Sequence, residues 1–157
     1  MRAHRHPWAC LLVTCTAVTL AGPGCRDRRP VPPGVTINGK AWFVELATTP
    51  DRQLVGLAGR DHLADNEGML FIFPRAEVLN FCMRGCVISL DIAFIGDDMR
   101  VVRTHTMLEE PDRIGRVLYN SDVPARYALE VPAGSLARAG IKVGDPVTFS
   151  RDIPAGR

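Results

Sequence analysis

Cys82 and Cys86, four positions apart, are the residues of this sequence best suited to chemistry. Such a pair can close a structural disulfide, exchange disulfides with another molecule, or stay as two thiols. With Met83 between them and Met99, His105 or Met107 farther along, the pair also offers soft ligands of the kind that suit Cu(I). The spacing is neither the Cys-x-x-Cys of redox motifs nor a paired zinc-ligand pattern. Geometry limits the bridge. Four residues of strand cover about 13 Å, beyond the roughly 7 Å between Cα atoms that a disulfide tolerates, whereas four residues of helix rise only about 6 Å. A disulfide therefore requires a turn or coil over 81–87, which Gly85 eases, and the small ring it closes contributes about 2 kcal/mol.

Buried carboxylates are the second kind of candidate. Asp91 lies inside an apolar run, Leu90-Asp91-Ile92-Ala93-Phe94-Ile95, where a carboxylate is costly unless paired or hydrogen-bonded. Arg84 or Arg60 can supply the partner, or loop amides can bind it as a structural clamp. Glu130, in Ala-Leu-Glu-Val, reads the same way. Arg60, Met83, Arg84, Asp91 and Glu130 together make the candidate binding surface, and Asp91, Arg60 and Glu130 carry the alternative of an enzyme of unfamiliar type. Nothing near His62 or His105 completes a nucleophile, base and orienter. No phosphate loop, dinucleotide glycine pattern or His-Glu-x-x-His element occurs, so no cofactor is expected.

Short strands must position these residues. Val35–Ile37 and Ala41–Leu46 flank Asn38-Gly39, a strong hairpin signal. Thr48 or Thr49 before Pro50 starts a short helix. Met69–Phe73 is a continuous apolar run stopped by Pro74, as expected of a strand covered on both faces. Leu90–Ile95 and Met99–His105 meet across Gly96-Asp97-Asp98 as a second hairpin. Glu109–Ser121 lacks periodicity and predicts a long surface excursion, the kind of segment that carries binding. Tyr127–Val131 is a strand, Ser135–Ala139 a short helix ended by Gly140, and Val147–Phe149 a last strand. The predicted class is α+β and mainly β: a small barrel-like or strongly curved sheet with two short helices.

The first 25 residues look like an address. Arg2, His4, Arg5 and His6 precede an uncharged apolar run from Trp8 to Ala21, and small residues lead to Cys25, the order of a secretory signal. The run is shorter than the roughly 20 residues that span a bilayer. Leu20-Ala21-Gly22-Pro23-Gly24-Cys25 resembles a bacterial lipoprotein signal, with Pro23-Gly24 inserted before the cysteine that would carry the lipid. Residues 26–34, rich in Pro and Arg, predict a solvated tether, and 35–157 a single domain. The expected location is the periplasm, or the envelope membrane through a lipid on Cys25. Cys82 and Cys86 are then the cysteines of the domain, in a compartment where a lone pair of thiols is most often bridged.

Apolar residues make up 46% of the chain and charged residues 23%, a globular balance that excludes disordered and fibrous classes. From Val35 onward, 14 Lys and Arg stand against 16 Asp and Glu. That near-neutral domain has no electrostatic footprint for nucleic acid.

Several motifs jointly resemble domain-of-unknown-function family 192, also called uncharacterised protein family 0127. They are Glu45-Leu46-Ala47 with Thr49-Pro50, Gly56-Leu57 with Gly59-Arg60, Gly68-Met69-Leu70-Phe71 with Phe73-Pro74, Met83, Leu90–Ile95, Tyr127–Gly134, and Gly140-Ile141 with Gly144-Asp145. Members often carry signal or lipoprotein leaders. Where the family pattern looks like Phe-Trp-Met-Lys-Asn-Thr, with a Pro before Leu-Asp, this chain has Phe81-Cys82-Met83-Arg84-Gly85-Cys86 and Ser89. The resemblance implies fold and location and no reaction. The expected function is an exported envelope domain that binds a small molecule or an envelope protein through the 81–89 loop and the 109–121 excursion.

Overall fold

The computed structural model describes residues 32–150 and Ile153; the proposed leader and most of the tether lie outside them. Strands β1 (Gly34–Ile37) and β2 (Lys40–Ala47) form the first hairpin. Asn38 and Gly39 both take positive φ, 48° and 77°, the backbone a two-residue turn needs to match strand twist. Helix α1 (Pro50–Val55) starts where the Thr49 hydroxyl accepts from the Arg52 amide and Pro50 fills the first turn. Strands β3 (Glu67–Glu77), β4 (Asn80–Phe81), β5 (Leu90–Ile95) and β6 (Val101–Met107) follow. Then come β7 (Tyr119–Asn120), β8 (Ala125–Pro132), helix α2 (Ser135–Arg138) and β9 (Val147–Phe149).

Seven strands make one sheet in the order β6-β5-β8-β3-β2-β1-β9, antiparallel except for β2 against β3; β4 and β7 pair separately. The two end strands meet near their starts. Arg100 bridges Pro146, and the amides of Val101 and Val147 donate to the carbonyls of Asp145 and Met99. The sheet therefore curls into a half-barrel, the mainly β, barrel-like class expected from the sequence.

Both faces of the sheet are buried. Val35, Trp42, Leu70, Ile95, Val101, Leu129 and Val147, drawn from all seven strands, form the concave core, which Leu136 and Ile141 plug from the α2 end. Met69, Phe71, Ile92, Phe94 and Ala128 form a second layer, covered by Leu57, Leu63, Leu79 and Met83 from loops. Alternation along β5 explains why all six of its residues are buried: Leu90, Ile92 and Phe94 enter one layer, Ala93 and Ile95 the other. Full burial of a side chain such as Phe94 contributes about 1.5–3 kcal/mol.

Two boundaries differ from the sequence reading. Strand β3 runs past Pro74 to Glu77, because its ladder to β8 shifts register between Ile72 and Glu77, and at such an irregularity proline is not needed as a donor. Strand β1 begins at Gly34, a residue the sequence reading assigns to the tether, because it already pairs with Phe43.

Asp91 is a clamp within this frame. Its carboxylate accepts from the Leu136 amide at 2.9 Å and the Thr106 hydroxyl at 2.8 Å. It serves as the missing cap of α2, whose own cap position is Gly134. Replacing Asp91 with Ala leaves a buried amide without its acceptor. We expect the urea midpoint of D91A to fall by the equivalent of about 3 kcal/mol; a loss below about 1 kcal/mol would contradict the clamp.

Candidate functional site

The outer layer is where loops rather than helices cover the sheet, and there a cleft of about 350 Å³ opens. The two-residue ladder of β4 and β7 ties the roots of the 82–89 loop and the 108–118 excursion, and the cleft lies between residues 82–86, Leu118 and the end of α1. The Phe81 ring anchors β4 edge-on against Phe71, at 4.9 Å between centroids, and Phe94, at 5.6 Å. The Cys86 amide donates to the Met83 carbonyl, closing a turn with Gly85 at φ 69°. The Gly85 amide donates to Arg113 and its carbonyl accepts from Gly59, so the turn is held between two other loops.

The excursion has its own organiser. The Glu110 carboxylate accepts from the amides of Gly115, Arg116 and Val117, and these bonds, led by that from Val117, lower its pKa. The backbone at Gly115 comes so close to the opposite wall that an added Cβ would lie 2.9 Å from both the Arg84 nitrogen and the Cys82 sulfur.

Glu130 lines the cleft at the sheet. It is 5% exposed, and among the described residues its carboxyl makes no hydrogen bond and is not fully sealed, its oxygens reaching the cleft. Burial alone pushes that carboxyl up to about 8, so at neutral pH it holds its proton. Its neighbours are the apolar walls Leu54, Leu57, Phe71, Phe81 and Leu118, together with Cys82 and Cys86. Burial first, then Glu130 and Cys82, push the Cys86 thiol up to about 11. Gly68 is obligatory beneath this residue, for a Cβ there would lie 2.5 Å from the Glu130 carbonyl oxygen.

The sequence candidates divide. Glu130, Arg84, Cys82 and Cys86 line one cleft, with Met83 buried beside it in the outer layer. Asp91 faces the other side of the sheet: it stands opposite Val131 of the concave core, whereas Glu130 stands opposite Ile92 of the outer layer. Arg60 is engaged with Glu45, which also binds Arg52. Asp91, Arg60 and Glu130 are therefore three separate environments and do not form the constellation of the enzyme alternative. The soft-ligand set does not assemble either. Met99 packs on the concave core, Met107 is buried, and His105 bonds the Asn120 carbonyl. Among the described residues no cluster of three or more His, Cys, Asp or Glu side chains is placed to hold a metal.

The expected structural disulfide is absent: Cys82 and Cys86 are free thiols. The turn that would permit it has formed, yet Cys86 sinks into the apolar layer while Cys82 rests against Gly115. Gln53 is a cleft residue the sequence did not single out. Its amide donates to the Ala47 and Ile72 carbonyls and ties α1 to the sheet, and a lone Gln on a six-residue helix gives no signal of that.

The model of the family described as DUF192, Uncharacterized ACR, matches residues 34–149. The chain belongs to that family. No curated protein matches it. Among solved structures, this DUF192 chain is similar to a Sinorhizobium meliloti 1021 protein described as a "putative transcription regulator". The identity is 28% and the TM-score 0.68, over 74% of this chain and 92% of that one. It is also similar to a protein of unknown function from Novosphingobium aromaticivorans DSM 12444, at 35% identity and TM-score 0.68, over 73% and 83%. Those likenesses concern the described domain.

The carboxyl of Glu130 ties the stability of this DUF192 domain to pH. The unfolded chain releases that proton from about pH 4.5 upward, while the fold keeps it to about 8, so the fold loses stability through this window as pH rises. Glu130→Gln removes the titration. We expect the stability difference between E130Q and wild type to move in favour of Gln by about 3 kcal/mol between pH 4 and pH 7, read from urea unfolding. A difference that stays constant with pH would contradict a buried neutral acid.

Proposed function

We propose that this protein is an exported envelope domain that binds a small amphiphilic ligand, or a matching side chain of an envelope protein, in the cleft over Glu130. One observation carries the reading: an acid without a partner at the floor of an apolar cleft. A ligand that covers the cleft shields this carboxyl from solvent, and a hydrogen bond between the two then orients the ligand. Apolar walls with a single polar anchor are the usual make-up of a small-molecule site, the walls supplying affinity and the anchor orientation. As a neutral acid, Glu130 donates to a carbonyl or ether oxygen; to an amine it yields its proton and forms a buried ion pair.

Export is proposed from the leader: basic residues at 2–6, the apolar run Trp8–Ala21, and the small residues before Cys25. Either a lipid on Cys25 or ordinary cleavage delivers the domain outside the cytoplasm. Mass spectrometry of the mature protein from membrane and periplasmic fractions tests this. We expect a chain that begins at or near Cys25, whereas an intact cytosolic chain retaining Met1 would contradict export.

Binding is tested by thermal shift with a panel of small amphiphiles bearing amine, amide or ether heads. A ligand at 100 times its Kd adds about 2.7 kcal/mol, a rise in Tm on the order of 10 °C for a domain of this size. We expect such a rise for wild type and less than half of it for E130A. A panel that stabilises neither, or both equally, would contradict the site.

A further inference from the structure

Two features of the cleft remain unused by ligand binding, two free thiols beside the same acid and their unequal burial. We propose that Cys82 and Cys86 form a thiol–disulfide exchange site in which Glu130 supplies and receives the proton of Cys86. Its co-reactant is a thiol or disulfide on another molecule. The inference stands apart from the ligand reading, since it requires no occupant of the cleft.

Geometry places the two thiols at one site. An extended chain would hold the sulfurs apart, but the segment turns from Met83 to Cys86, with Gly85 in the left-handed region, and both cysteines line one cleft. Exposure then assigns the roles. Cys82 is half-buried and reachable at the wall, while Cys86 is 6% exposed. An incoming thiolate therefore meets Cys82, and Cys86 is the inner, resolving sulfur. Arg84, the cation lining the cleft among the described residues, sits between them in sequence.

The steps balance. With the pair oxidised, an incoming thiolate attacks the Cys82 sulfur; a bond to the incoming sulfur forms, the Cys82–Cys86 bond breaks, and Cys86 leaves as thiolate. That buried thiolate takes the proton of Glu130, leaving a carboxylate that regains a proton from solvent. A second thiolate then attacks the incoming sulfur and releases Cys82, so two thiols have been oxidised to a disulfide and the pair reduced. In the reverse direction, Cys82 thiolate attacks an external disulfide and expels one of its sulfurs. The Glu130 carboxylate removes the proton of Cys86, and the resulting thiolate displaces the external sulfur from Cys82. Cys86 holds its proton to a higher pH than Glu130, so transfer from carboxyl to departing sulfur runs downhill.

The charged or titratable groups lining the cleft are Cys82, Arg84, Cys86 and Glu130 themselves. The elements packed behind Glu130 are uncharged there, with Met69 on β3, Ile92 on β5 and Gln53 on α1.

The experiment uses the full chain equilibrated in glutathione buffers from wholly reduced to wholly oxidised, alkylated, and digested with trypsin without reduction. Cleavage after Arg75, Arg84 and Arg100 separates Ala76–Arg84 from Gly85–Arg100, so the bridge appears as a linked pair specific to these two sulfurs. We expect linkage to pass reversibly from about a tenth to about nine-tenths of the chains in one two-electron transition. In E130Q, opening by reduced glutathione should slow about tenfold at pH 7, with the two rates converging at pH 10, where wild-type Glu130 is itself unprotonated. Peptides unlinked at every ratio, or a link that excess reduced glutathione never reopens, would overturn the exchange site. An E130Q to wild-type rate ratio independent of pH would overturn the role of Glu130.

Discussion

A seven-stranded sheet presents two faces to cover, and the described residues offer helices of only six and four residues for the task. The rest of the structure follows from how it meets that constraint. Curling brings one face onto itself: residues from all seven strands meet in the concave core, and the hydrogen bonds between 99–101 and 144–147 hold the curl. The second face is left to loops. Loops carry unpaired backbone groups, so they must be satisfied by unusual means, and here one carboxylate, Glu110, accepts from three successive amides while Gly85 bonds on both sides.

A covering built of loops packs less completely than a helix would, and the cleft over Glu130 is the result. Glu130 sits where the alternation of β8 aims a side chain at that layer, opposite Ile92 and Met69. An apolar residue there would stabilise the fold more. A carboxyl of raised pKa beside a thiol pair marks a candidate functional site, and the proposed ligand contact and proton transfer both rest on it. Asp91, one strand over, has the opposite fate. Its two hydrogen bonds tie α2 to the sheet and leave it nothing to offer a ligand.

Much of this was legible in the sequence, because short-range signals decide it. Asn38-Gly39 dictates the first hairpin, Thr49-Pro50 the start of α1, and unbroken apolar runs at 69–73 and 90–95 the strands buried on both faces. What escaped is non-local. β4 and β7 have two residues each, too few for any periodicity to register, and they exist because they pair with each other. The extension of β3 past Pro74 depends on a register shift against β8, which the local sequence does not encode. The separation of Asp91 from Glu130 follows from cross-strand register: the two lie one position out of register, and successive residues along a strand point to opposite faces. The unequal burial of Cys82 and Cys86 reflects where the outer layer draws Cys86, again a matter of packing.

The family to which the chain belongs supplies the frame, while both cysteines stand at positions where the resemblance leads one to expect other residues. The chemistry argued for the cleft thus belongs to this chain's own side chains on a shared scaffold. Its central claim is the protonated state of one residue. The most direct measurement is a carbon-13 NMR titration of the Glu130 side-chain carboxyl in selectively labelled protein. The account predicts a midpoint near pH 8; a midpoint in the ordinary carboxylate range, about 4, would contradict it.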